Sequence, residues 1–153
     1  MLKRFVRLKR LHTLAESDEM KARIRMVLAQ KEVQKEQALV RQVGGYIADY
    51  QSILKPNQTL SSTRFSEFGL FLSQLNTMLL AANDRLANAE KDLMEKDAVW
   101  QQKKVREKSL ARYCERLQED EAKYMLGLEQ TQADERNNQD FLRKSHLNQT
   151  VKG

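Results

Sequence analysis

Only one proline, Pro56, interrupts 153 residues, and the five glycines offer little more punctuation. A chain this poor in breakers has few places to turn, so it folds as long uninterrupted elements or not at all. The residues between the breakers are charged and amide side chains with Leu, Ala and Met, all strong helix formers. Apolar residues make up 41% and charged residues 31%. That balance suits a narrow apolar seam between helices better than a globular core. The expected fold is all-α: two long helices in an antiparallel coiled-coil hairpin, the second longer.

The break lies at Lys55-Pro56-Asn57-Gln58-Thr59-Leu60-Ser61. Proline disfavours helix in the residue before it, and Ser61 or Ser62 suits an N-cap. The reading is one coiled-coil domain over 1–153, with a helix over about 3–54, a loop over about 55–61, a helix over about 62–145 and a frayed tail. A loop of seven residues cannot return along a helix, so the two must pair antiparallel. Folded at the loop, residue 5 falls opposite about residue 111, and the last thirty or so residues project past the N-terminus.

The second helix carries the clearest pattern. Phe68, Leu72, Leu75, Leu79, Ala82, Leu86, Ala89 and Leu93 recur at alternating steps of four and three, the spacing of a left-handed supercoil. The register continues through Trp100, Leu110, Cys114, Leu117, Tyr124 and Leu128, interrupted by Lys96, Lys103, Glu107 and Glu121. Trp100 and Cys114 read as seam packing, Cys114 as a small apolar filler. In the first helix Leu39, Val43, Tyr46, Tyr50 and Ile53 fit near the loop. Further back the seam thins to Ala29, Ala22 and Ala15, with Arg25, Glu32 and Glu36 between them. Gly44-Gly45 reads as a tolerated weak point of that helix, the alternative being a hinge.

The pattern excludes more than it assigns. Two histidines, His12 and His146, sit in opposite helices, and neither completes a catalytic or metal-binding set. There is no phosphate-cradling loop and no sign of a cofactor or small-molecule substrate. The chain reads as not an enzyme. No stretch has the ~20 apolar residues a membrane span needs. A single cysteine fits a reducing cytoplasm, and the N-terminus lacks the apolar core of a secretory signal.

Two features ask for partners. The net charge of +6 is concentrated in Lys3, Arg4, Arg7, Lys9 and Arg10. A cluster at one end points to one acidic or phosphate-bearing partner, not to nucleic acid along the whole length. The start of the second helix also holds more large apolar residues than one seam uses. Phe71 and Met78 lie on its flank and widen the stripe toward a binding surface.

Three segments together carry a family likeness. Ile47-Ala48-Asp49-Tyr50-Gln51 resembles the Asp-Tyr-Gln region closing the first helix of the flagellar export protein FliJ. Thr63-Arg64-Phe65 with Phe68, Phe71, Leu72 and Leu75 is similar to that family's Arg-aromatic pattern after the loop. Trp100-Gln101-Gln102-Lys103-Lys104-Val105-Arg106 resembles its Trp-x-x-Lys-Lys-x-Arg stretch. Order and spacing agree over about residues 8–125. The basic N-terminus equally resembles the YscO-type stalk proteins of virulence-associated type III secretion.

The resemblance implies a non-enzymatic central stalk of a bacterial type III export apparatus, cytoplasmic and peripheral to the inner membrane at its base. The partners it implies are a hexameric export ATPase, the membrane export-gate protein and export chaperones. The end bearing both termini would enter the ATPase pore, with Lys3, Arg4, Arg7, Lys9 and Arg10 facing the ring. Phe71 and Leu75 match the family's gate-binding stripe, and Met78 and Ala82 occupy its next two turns with different residue types. Gly44-Gly45 departs from the family pattern. The alternatives are a passive coiled-coil adaptor or chaperone, and a coiled-coil protein on the membrane surface held by residues 1–11.

Overall fold

The computed structural model describes residues 2–53 and 61–151, with side chains through Gln149. Two helices account for them, α1 over Leu2–Ile53 and α2 over Ser62–Val151. Most of the expected loop, including Pro56, lies outside the described residues. Ser61 does what its side chain suits. Its Oγ accepts from the Arg64 amide at 3.4 Å, and its carbonyl accepts from Phe65 N at 3.0 Å, closing the first turn of α2. At the other end α2 keeps helical backbone to Val151, beyond the end expected near residue 145. Asn148 is a weak helix former but not a breaker and Gln149 is a good one, so neither stops the helix.

The packing forms two compact units, one of Glu16–Val105 and one of Met1–Ala15 with Arg106–Gly153. Within the first, α1 and α2 run antiparallel. Tyr50 stacks on Phe68 and Phe71, Glu36 meets Arg85, and Glu19 meets Trp100, so partner numbers rise in α2 as they fall in α1. Every α2 position of the heptad pattern from Phe68 to Lys103 is buried or half-buried. The centre of the packing is Val43, Ile47 and Leu75, flanked by Leu39, Tyr50, Leu72 and Leu79.

The seam of α1 corrects the expectation. Ala22, Ala29, Glu36, Leu39, Val43 and Tyr50 face α2 as read, but elsewhere the residues between them are others. Met26, Val33 and Ile47 are buried, whereas Arg25, Glu32, Tyr46 and Ile53 are exposed. A heptad series fixes only every seventh residue. The intermediate seam position lies either three or four residues on, and outside Leu39 α1 takes four where three was expected. The reason is desolvation: three on from Ala22 and Ala29 lie Arg25 and Glu32, charges that are costly to bury, and four on lie Met26 and Val33. The thin stretch of α1 is therefore an ordinary apolar seam.

One charge does enter it. Glu36 is 7% exposed, and its Oε2 lies 3.5 Å from Arg85 Nε without hydrogen-bond alignment. Trp100 is held from both sides: its Nε1 donates to Glu19 Oε1 at 2.9 Å, and Lys104 Nζ lies 5.0 Å from the ring centre. That cation belongs to the ring's negative face.

In the second unit, Phe5, Leu8 and His12 are half-buried and Ala15 is buried. The matching α2 positions are Glu107, Leu110, Cys114, Leu117 and Glu121. His12 Nε2 is 2.9 Å from Glu107 Oε1, and Arg4 Nη2 donates to the Tyr113 hydroxyl at 2.9 Å. The polar residue Glu107, an interruption by sequence, thus has a partner in the facing helix. His12 likewise gains the partner that the sequence reading did not assign it.

Gly44 and Gly45 leave α1 unbroken, with no positive φ. A Cβ built on either meets nothing within 4 Å. A side chain there costs no clash and removes unfolded-state freedom. Gly45→Ala should therefore stabilise the protein by about 0.5–1 kcal/mol. Thermal melting followed by circular dichroism checks this, and a lowered midpoint would mean that the site needs its glycine.

Candidate interaction surfaces

The four residues placed along a gate-binding stripe, Phe71 and Leu75 by match and Met78 and Ala82 by position, divide by their place on the helix. Leu75 is 6% exposed and Ala82 0%, both packed against α1. Phe71 is 40% exposed and Met78 54%. The split follows from angle alone. Leu75 and Ala82 are seam positions one heptad apart, and Phe71 and Met78 are another pair one heptad apart on the flank. Any partner at this face touches Phe71 and Met78, while Leu75 and Ala82 hold the helix that presents them.

Phe71 is not a loose side chain. Its ring centre lies 4.8 Å from that of Tyr50 at 56°, and Tyr50 also meets Phe68 at 5.6 Å and 58°. Tilted pairs at these distances favour one ring orientation. Tyr50, Arg64, Glu67, Phe68 and Phe71 line an open cleft beside it. Phe65, Leu70 and Leu80, also among the surplus apolar residues, are exposed but lie elsewhere around α2.

The five N-terminal cations Lys3, Arg4, Arg7, Lys9 and Arg10 are all exposed, on a stretch whose Phe5 and Leu8 turn inward. Arg4 differs from the others in being tied to Tyr113. Arg4 and Phe5 share a small cleft with Leu117 and Glu121, so α1 covers α2 as far as Glu121. The bare part of α2 begins there, and not near residue 112 as the loop-folded register implies.

From Ala122 to Gln149 every residue of α2 is exposed. Tyr124 and Leu128, expected to continue the seam, have nothing over them. Met125, Leu126, Phe141, Leu142 and Leu147 are exposed too. Sequence reasoning missed Phe141 and Leu142, although a pair of large apolar residues in an otherwise polar tail is itself a signal. Gln139, Leu142, Arg143, His146 and Leu147 line an open groove on this stretch. Among the described residues, no helix is long and apolar enough to cross a membrane.

Replacing Leu75 by Ala should cost about 2–4 kcal/mol, because it opens the centre of the seam. Replacing Phe71 by Ala should cost clearly less, since much of that ring already meets water. Urea unfolding of the two variants measures the difference, and equal losses would mean that Phe71 is a core residue.

The pattern that defines the flagellar FliJ protein family matches residues 4–146. Neither a curated protein nor a solved structure matches the chain at a significant level.

Proposed function

Since the chain belongs to the flagellar FliJ family, a component of the flagellar export apparatus, we propose that it is the non-enzymatic stalk linking the export ATPase to the export gate. The observation that carries this reading is the bare helix. Residues 122–149 are helical and every one of them is exposed, with Tyr124, Met125, Leu128 and Leu142 along them. A helix in a protein gains most of its stability from burying one face, and this stretch buries no residue. Its natural state is inside a partner.

The same unit holds the N-terminal cations. Like charges gathered on one short stretch repel, and a receiving surface that is acidic removes the cost. A ring of six identical ATPase subunits repeats every acidic residue six times, and so meets Lys3, Arg7, Lys9 and Arg10 whichever way the stalk turns. A single asymmetric stalk in a six-fold ring contacts unlike faces. It therefore favours different subunit conformations at different positions, which is how a protein without catalytic groups stimulates ATP hydrolysis. Phe71 and Met78, in the other unit, are the residues this reading gives to the membrane export gate. Export chaperones are further partners of the family type, and the place of action is the cytoplasmic face of the inner membrane.

Arg7→Glu with Lys3→Glu should abolish stimulation of the ATPase and leave gate binding intact. Both residues are exposed, and neither shares Arg4's bond to Tyr113. Stimulation by the unaltered protein should fall as salt rises. Phe71→Ala with Met78→Ala should do the reverse, weakening gate binding and sparing stimulation. Hydrolysis rates and gate pull-downs at low salt decide between them. Unchanged stimulation by the charge-reversed protein would remove the ring from the account of residues 1–11 and leave an anionic lipid surface as the better one.

A further inference from the structure

A second apolar stripe lies on α1, turned away from the seam, in the Glu16–Val105 unit. Met20, Ile24, Val27 and Leu28 are all exposed, three of them by more than half. Met20, Ile24 and Val27 are spaced four and three apart, and the next step of four reaches Lys31. They share one face of the helix, and Leu28 widens it. The seam of the same stretch, Ala22, Met26, Ala29 and Val33, is already covered by α2. The outer stripe is therefore a surplus that neither hairpin packing nor the stalk reading uses.

From Met20 onward the charge around it is mostly positive, and Glu16 stands one turn before Met20 on the same face. Between Met20 and Lys35 stand Lys21, Arg23, Arg25, Lys31 and Lys35, against the single carboxylate Glu32. All six are exposed, and none of the five cations forms an ion pair with another described residue. Lys21 and Arg23 lie on opposite flanks of the stripe, and Lys31 stands at its end. Heptad-spaced apolar side chains with charged flanks are the face one helix offers another. The apolar residues become knobs, and the flanking charges choose the partner by sign. From Met20 to Leu28 the stripe is about 12 Å long and little more than one residue wide, from helix geometry. That suits a helix lying alongside better than insertion into a lipid surface, which rewards a broad apolar face.

We propose that Met20, Ile24, Val27 and Leu28 form a docking stripe for an acidic amphipathic helix of another protein, packed on α1 as a third strand. The partner carries Leu-type side chains at heptad spacing, with Glu or Asp on the flanks facing Lys21, Arg23 and Lys31. The stripe is distinct from Phe71 and Met78 and from the N-terminal cations. Its occupant binds whether or not the stalk reading holds.

The test is a photo-cross-linking residue at Ile24 or Leu28 in the full-length protein, in its own cells, with the cross-linked peptide sequenced. The expected product joins this face to a segment of another protein that has heptad-spaced apolar residues and acidic flanks. Adding Lys21→Glu and Lys31→Glu should lower the yield about tenfold or more, since like charges then face each other. The melting temperature should not move, because both lysines are exposed. Should that double reversal unfold the protein, Lys21→Gln with Lys31→Gln reads the same dependence with a smaller drop. Products formed only with lipid, only with a second copy of this chain or only with a basic or neutral segment would overturn the proposal. So would no product at all, or a yield indifferent to the lysines.

Discussion

Two helices have no centre. A side chain is dry only where the second helix lies directly over it, and supercoiling grants that to two positions in every seven. Everything else in this protein follows from that scarcity. Once Leu75 and Ala82 take their places beneath α1, Phe71 and Met78 are left partly in water, one step around the helix. The exposed flank is a consequence of the seam and not a separate feature. The same scarcity makes each apolar residue off the seam informative, because two helices alone give it nothing to pack on.

Scarcity also explains which parts of the structure were legible in the sequence. On α2 the series from Phe68 to Leu93 admits one reading, and every position of it is buried or half-buried. On α1 the series Ala15, Ala22, Ala29, Glu36, Val43, Tyr50 was legible, but of the interleaved series only Leu39 was. Tyr46 and Ile53 look as apolar as Ile47 does, so the choice near the loop is almost balanced. It is decided far away, where Met26 and Val33 compete with Arg25 and Glu32. Reading α1 outward from its best-looking end therefore chose the wrong alternate, and reading it from the desolvation cost of the charges would have chosen the right one.

The candidate surfaces were legible to different depths. The flanking Phe71 and Met78 followed from the angle between seam and stripe, and the cations from their clustering. The division of the gate-matched residues into two buried and two exposed was implicit in the same angles. The start of the bare helix was not legible, because the length of cover depends on the axial offset of the helices. The cross-helix contacts set that offset. Arg4 reaches Tyr113, and Phe5 shares a cleft with Leu117 and Glu121. Met20, Ile24, Val27 and Leu28 are masked in the sequence for a related reason: with Arg25 and Glu32 in the alternate register the seam of α1 looks poor, and apolar residues off it do not stand out.

The axial offset itself rests on polar residues. A seam of Leu and Ala is nearly as well packed after a slip of seven residues, because a heptad repeats. In the Glu16–Val105 unit, such a slip would part Glu36 from Arg85 and the Trp100 indole from Glu19, stranding a carboxylate inside the seam. In the other unit it would part His12 from Glu107. An unpaired buried charge costs far more than its pairing gains, so these contacts act by penalising wrong registers more than by stabilising the right one. The polar interruptions thus have a use that an unbroken apolar seam would lack. They fix which residues of α2 remain bare beyond Glu121. On the stalk reading, placing the bare segment correctly matters more than the last increment of stability.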